Sequence, residues 1–189
     1  MPARVYTNYV TENSSKPAWE ELLSEEIIKS RVVELAKEIA VQFPVDNLLV
    51  VCVLRGGFIF TADLVRELYE YFPDLEIDFV AVSSYGGSYE SSRSPRIDKD
   101  LNIDITNRNV LLVEDIVDTG YSFAKLLDLL ATRNPKSLKT CAFLSKPDRR
   151  EIEVPIDFVG FSVPDKWLEG FGLDSAEKGR HRKNIVAKV

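Results

Sequence analysis

Apolar residues fall along this chain in two kinds of pattern. Ile28, Val32, Leu35 and Ile39 recur every three or four positions, the stripe of an amphipathic helix. Ser24 followed by Glu25 and Glu26 supplies an N-cap and an acidic first turn, and Pro44 marks the boundary beyond. Leu48 to Leu54 is instead an unbroken apolar run, the signature of a strand buried on both faces. Gly56-Gly57 then turns the chain, and Phe60, Leu64 and Leu68 form a second helical face. Further strands are predicted at Ile77–Val82, Val110–Val113 and Leu138–Leu144, with a short one at Phe158–Phe161 and a helix through Phe123, Leu126, Leu127 and Leu130. Strands alternating with helices predict an α/β fold around a mainly parallel sheet.

Two stretches break the rhythm. Ser83 to Asp98 is rich in Ser, Gly, Tyr and Arg, a length uncommon in a compact domain unless the loop is functional or disordered. Beyond Pro147, a crowding of Pro155, Pro164, Trp167, Gly170, Phe171 and Gly172 reads as an irregular lid. The 189 residues, 45% of them hydrophobic, suit one domain with a sizeable core, without internal repeat or linker. A net charge of -6 gives no bulk attraction to nucleic acid or anionic membranes, although a basic patch remains at Arg180 to Lys183. Cys52 and Cys141 lie in separate apolar runs without metal-ligand spacing and read as buried, reduced thiols. His181 has no partner at ligand spacing and reads as a solvated tail residue. Met1 to Glu20 lacks a basic start followed by an apolar run, and no segment approaches the roughly 20 apolar residues of a bilayer span, so a cytoplasmic location is expected.

The chemistry concentrates in Val110 to Ser122, V-L-L-V-E-D-I-V-D-T-G-Y-S. A buried strand here delivers Glu114 and Asp115 toward its carboxyl end, where ligands bind in parallel sheets. Asp118 to Ser122 then form a loop opening a helix, whose outward N–H groups cradle an anion. Gly120 admits a positive φ and a close ligand, and the Thr119 and Ser122 hydroxyls add donors. Glu114 and Asp115 cannot hold a phosphate; their partners are hydroxyls or a metal ion. The pattern asks for a ligand with a phosphate beside a diol.

E-D-I-V-D-T-G-Y-S resembles the phosphoribosyl pyrophosphate (PRPP) motif of type I phosphoribosyltransferases, and further motifs between Leu23 and Arg180 resemble the 6-oxopurine (hypoxanthine-guanine) branch. The resemblance implies a twisted, mainly parallel sheet flanked by helices, a core over about 24–147, and a small hood subdomain from about 1–23 and 148–189. It implies ribose-phosphate binding by Glu114, Asp115, Asp118, Thr119, Gly120, Tyr121 and Ser122, with Asp118 as general base at purine N7. V-L-R-G-G-F at Val53–Phe58 resembles the pyrophosphate loop, implying roles for Arg55 and Gly56 and a Leu54–Arg55 peptide that can be cis, with Arg180 a further pyrophosphate contact. S-S-Y-G-G at Ser83–Gly87 resembles the family's lid, with Ser84 and Tyr85 closing over the reaction centre. L-S-K-P and V-P-D-K-W-L-E-G-F-G-L-D resemble the purine pocket. There the resemblance assigns Lys146 to the 6-oxo group, Trp167 to stacking and the Leu168 backbone to the base edge. It also implies Mg2+ held by Asp174 with Glu114 and Asp115.

Arg55, Tyr121 and Glu169 depart from the family pattern; Glu169 bears on pocket shape or an oligomer contact, and so on the choice between hypoxanthine and guanine, and the tail after Arg180 matches poorly. The implied activity is purine salvage: Mg-dependent transfer of a 5-phosphoribosyl group from PRPP to N9 of hypoxanthine or guanine, giving IMP or GMP and pyrophosphate. The implied partners are these small molecules in a homodimer or homotetramer, with no nucleic acid and no membrane. A PRPP-sensing regulator that binds nucleic acid is the rival from another class, disfavoured by the charge and by an intact purine-pocket motif. Xanthine preference stays open. A dinucleotide or nucleotide-hydrolase module is weaker still, since neither G-x-G-x-x-G nor G-x-x-x-x-G-K-[ST] is present.

Overall fold

The computed structural model describes residues 19–83 and 96–189. Its main sheet has six strands in the order β4-β3-β2-β5-β6-β7. These are β2 (Leu48–Leu54), β3 (Glu76–Ser83), β4 (Arg96–Lys99), β5 (Asn109–Val117), β6 (Ser137–Ser145) and β7 (Phe158–Ser162). All neighbours pair parallel except β4, which runs antiparallel on the β3 edge. From β2 the chain moves outward to β3 on one side and returns to β5, β6 and β7 on the other. The order therefore reverses between β2 and β5, where parallel sheets open a crevice at their carboxyl ends.

Helices explain why the central strands are apolar throughout. α1 (Glu25–Gln42) and α2 (Phe58–Leu68) cover one face, joining Ile28, Leu35, Ile39, Phe60 and Leu64 to Val50, Leu111, Val113 and Phe143 in one buried cluster. α3 (Tyr121–Ala131) covers the other face, where Phe123, Leu126 and Leu130 meet Leu49, Val51, Val110 and Leu112. Alternate residues of β2 and β5 thus point into two different cores. The expected cap is present, with Ser24 Oγ accepting from Ile27 N at 3.4 Å.

A second sheet of three strands, in the order β1-β9-β8, joins β1 (Trp19–Leu23), β8 (Leu168–Glu169) and β9 (Ile185–Lys188). The hood is thus built from both ends of the described chain, and the poorly matching tail supplies its middle strand. Leu168, Phe171, Leu173, Ile185 and Ala187 belong to the α1–α2 core cluster, so hood and sheet share one apolar interior. Phe143 is the hinge of that packing, with ring centroids 5.0 Å from Phe60 and 4.9 Å from Phe171. Two expectations need correction. β7 lies past the boundary expected at 147 yet pairs with β6 in the main sheet, because Phe158 and Phe161 are drawn to the edge of the same core. The long loop after Ser83 ends earlier than expected, at β4, whose alternating exposure marks an edge strand.

Cys52 and Cys141 are buried and unpaired in β2 and β6, and burial pushes both thiols up, Cys52 to about 11. No described helix is long and apolar enough to cross a membrane. The basic patch at Arg180–Lys183 is largely neutralised by pairing: Arg180 with Asp174, Arg182 with Glu169, and Lys183 with Glu25 at 3.4 Å.

Candidate active site

β5 runs through Val117, four residues beyond its purely apolar part, so Glu114 and Asp115 lie within the strand. Asp115 is buried and Glu114 half-buried. Among the described residues few donors meet them: Ile116 N bonds Asp115 Oδ1 at 2.8 Å, and Asp115 N bonds Glu114 Oε1 at 3.1 Å. Burial pushes both carboxyls above the usual range, Glu114 furthest because the like charge of Asp115 adds to it. Arg180 acts in the opposite sense on Asp115.

The loop after β2 faces this pair. The Leu54–Arg55 peptide is cis. Gly56 packs directly on the Asp115 carboxyl, leaving no room for a Cβ. The Gly56 carbonyl in turn abuts Gly172 of the hood, whose φ of +104 a larger residue would adopt only with strain. Arg180 gathers this corner, donating to Gly172 O at 2.9 Å and pairing with Asp174 at 2.8 Å and Glu177 at 3.2 Å. Arg55 pairs with the other oxygen of Glu177 at 2.6 Å. Arg55, Asp174 and Arg180 therefore converge through Glu177, a residue the sequence did not single out.

Beyond β5, Gly120 stands at φ +97 as the N-cap of α3, and Tyr121 and Ser122 form the helix's first turn. N–H groups at such a start lack intrahelical partners and point outward. A cavity of about 220 Å3 opens here, lined by Glu114, Asp118, Thr119, Gly120, Ser122, Arg149 and Trp167 among others. Arg150 fixes the loop from behind, donating to Val117 O, Asp118 O and Ser145 Oγ at 3.0–3.1 Å. Thr119 O accepts from Glu151 N and Ile152 N.

Lys146 is 6% exposed and does not line the cavity, but its Nζ lies 3.9 Å from Asp118 Oδ2 and 4.0 Å from Asp165 Oδ1. Leu168 is buried in the shared core and is likewise absent from the lining. Ser84 and Tyr85 lie outside the described residues. Among the described residues no three His, Cys, Asp or Glu side chains form a metal-holding cluster, so Glu114, Asp115 and Asp174 are not drawn into one cage. Asp174 is instead engaged by Arg180 and by Glu177 N at 2.8 Å. Glu169 is buried away from the cavity, bonding Arg182 at 2.6 Å and packing on Gly179. Arg149 and Arg150 escaped the sequence reading because paired arginines after a Pro-Asp turn resemble any solvated surface.

Paired acids, an anion cradle and an aromatic wall thus meet at the switch point of the sheet, and the chain belongs to the phosphoribosyl transferase domain family, whose model matches residues 18–176. It is 45% identical over 172 residues to a hypoxanthine phosphoribosyltransferase of Haemophilus influenzae, spanning 89% of this chain and 93% of that one. It is 49% identical over 165 residues to a hypoxanthine-guanine phosphoribosyltransferase of Aquifex aeolicus, spanning 87% and 91%. A crystal structure of a hypoxanthine-guanine phosphoribosyltransferase from Bacillus anthracis superposes with a TM-score of 0.84 at 39% identity, covering 90% of this chain and 98% of that one.

Proposed function

We propose that this enzyme transfers the 5-phosphoribosyl group of PRPP to N9 of hypoxanthine or guanine, in purine salvage in the cytoplasm, as a homodimer or homotetramer. The observation that carries the reading is the single cavity in which Asp118, the Thr119–Ser122 helix start and Trp167 meet beside Glu114. A 5-phosphate accepts from the helix-start N–H groups, while the ribose diol donates to Glu114 and Asp115, two carboxyls whose burial leaves them short of donors. Trp167 offers a flat face to the purine. Lys146, a pure donor, suits a 6-oxo group and rejects a 6-amino group, and Leu168 meets the base edge through its backbone.

Cleavage at the anomeric carbon develops oxocarbenium character, so the protein supplies anchoring and charge stabilisation. Asp118 accepts the proton shed from the purine at N7. Arg55, Gly56 and Arg180 receive the departing pyrophosphate, which takes the place that Glu177 holds between the two arginines. The donor set of Glu114, Asp115 and Asp174 is all hard oxygen and fits Mg2+, an ion that keeps water and substrate oxygens as ligands and needs no preformed cage. Magnesium, when bound, neutralises charge on the pyrophosphate.

The test is an absorbance assay with PRPP and magnesium, offering hypoxanthine, guanine, xanthine and adenine separately, with and without chelator. Chelator-sensitive formation of IMP or GMP is expected, with adenine inert. PRPP binding without turnover of any base would overturn the reading in favour of a sensor. Asp118→Asn should lower kcat by about 10²- to 10⁴-fold while PRPP binding persists. Lys146→Ala should weaken hypoxanthine far more than PRPP, and equal weakening would remove Lys146 from the base pocket.

A further inference from the structure

Asp118 sits in a ring of four alternating charges. Arg149 Nε lies 3.1 Å from Asp118 Oδ1, Arg149 Nη1 lies 3.5 Å from Asp165 Oδ1, and Lys146 closes the ring at 4.0 and 3.9 Å. The contact on Asp118 is unusual in kind. Its Oδ1 is buried yet has no hydrogen-bond partner among the described residues, so the guanidinium covers this oxygen without bonding it. An acceptor must come within about 2.6–3.2 Å of the group whose proton it takes, so while Arg149 stays the covered Oδ1 cannot receive an incoming N–H, and only Oδ2 of this carboxyl, 36% exposed, is left for it.

The three cations around this site differ in freedom. Arg150 is committed to two backbone carbonyls and a hydroxyl, and Lys146 is buried. Arg149 has a side chain 43% exposed, and Asp165, 50% exposed, stands beside it as a second carboxylate. An exposed ion pair contributes only about 0–1 kcal/mol, so exchanging one such partner for another costs little. A planar guanidinium can also engage a single carboxylate with two parallel bonds, which its present position between two acids does not provide.

We propose that Arg149 is a displaceable cover on Asp118 and that Asp165 is the carboxylate that receives it when the purine enters. Both are positioning residues: Asp165 acts by drawing Arg149 away, and Arg149 by holding Asp118 in the empty site. The inference rests on the proposed role of Asp118 as the proton acceptor of a 6-oxopurine transferase.

A double-mutant cycle read through steady-state kinetics with hypoxanthine and PRPP tests it. Asp165→Asn strands Arg149 on Asp118, so the KM for hypoxanthine should rise about tenfold while the KM for PRPP stays within about twofold. Adding Arg149→Met to Asp165→Asn removes the stranded cover and should return the hypoxanthine KM to within about threefold of the parent. That rescue is a result a merely structural Asp165, or one acting through Lys146, does not produce. An unchanged hypoxanthine KM in Asp165→Asn, or a double variant as impaired as the single, would overturn the inference and leave the transferase reading intact. A folded parent enzyme that turns over no 6-oxopurine would overturn both.

Discussion

Asp78 on β3 and the Glu114–Asp115 pair on β5 are acids enclosed by the same sheet, and the fold completes one and starves the other. Asp78 is 3% exposed and accepts from Phe79 N at 2.8 Å, Asn102 N at 2.6 Å and Ile103 N at 2.9 Å, with Lys99 Nζ at 3.6 Å. Burial pushes its carboxyl up, but those three backbone donors and the Lys99 charge outweigh it and hold the group below its ordinary value. Burial is again the largest influence at Glu114 and Asp115; at Glu114 the like charge of Asp115 adds to it, and at Asp115 it outweighs the hydrogen bonds from Glu114 and Ile116 N and the Arg180 charge, so both rise. A carboxylate whose bonds the fold supplies is a tie between segments, here pinning the 100–103 turn to β3. A buried carboxylate left short of donors is held for donors that arrive with a ligand.

The largest effect expected from breaking this contrast is at the tie. Asp78→Ala leaves three N–H groups unsatisfied and should cost about 3 kcal/mol in urea unfolding, with kcat/KM in the surviving native protein changed little. The site side answers to Gly56→Ala, whose Cβ displaces the Asp115 carboxyl. A misplacement of about 1 Å should lower kcat/KM about 10²-fold while the protein stays folded, and unchanged kinetics would detach Gly56 from the site. Glu114→Gln relieves like-charge repulsion in the empty site. It should raise the melting temperature at pH 8 by about 3 °C, roughly 1 kcal/mol for a chain of this size, and weaken PRPP.

The smallest effect is a difference in pH slope, and its sign differs between the two regions. Asp78, held low, contributes stability in full above its unfolded value of 3.8 and loses it as pH falls through the folded value. Glu114 and Asp115, held high, bind more protons folded than unfolded. They therefore lower stability as pH rises from their ordinary values of 4.5 and 3.8 through the folded ones. The melting temperature of the unliganded protein should fall as pH rises above the ordinary values of these two acids, and Glu114→Gln should flatten that fall while leaving the Asp78 limb alone. An equal slope in the variant would mean that Glu114 does not carry it.

Much of the sheet was legible because local rules and tertiary burial agree there. The apolar run Leu48–Leu54 coincides with β2, and Ser24 caps α1, since a doubly buried strand and a capped amphipathic helix need nothing distant to declare themselves. The hood sheet was not legible. Its β1 and β9 pair residues 19–23 with 185–188, and a two-residue strand such as β8 has no period to detect. The motif residues of the site were named from sequence because cradle, acids and aromatic lie in contiguous runs. Glu177, Arg149 and Arg150 were not, since their meaning comes from what they touch across the fold. Glu169, a departure from the family pattern, pairs with Arg182, a partner that no local pattern announces.

By itself, then, the sequence determined the alternation of buried strands and helices, and it determined that acids precede a glycine-opened helix start, because period and turn chemistry are local properties of the chain. Only the tertiary structure decided which charges meet. The raised acids of β5, the arginine over Asp118 and the neutralised basic tail all depend on distances between segments far apart in sequence, and Coulomb and desolvation energies are set by those distances and by burial, not by order along the chain.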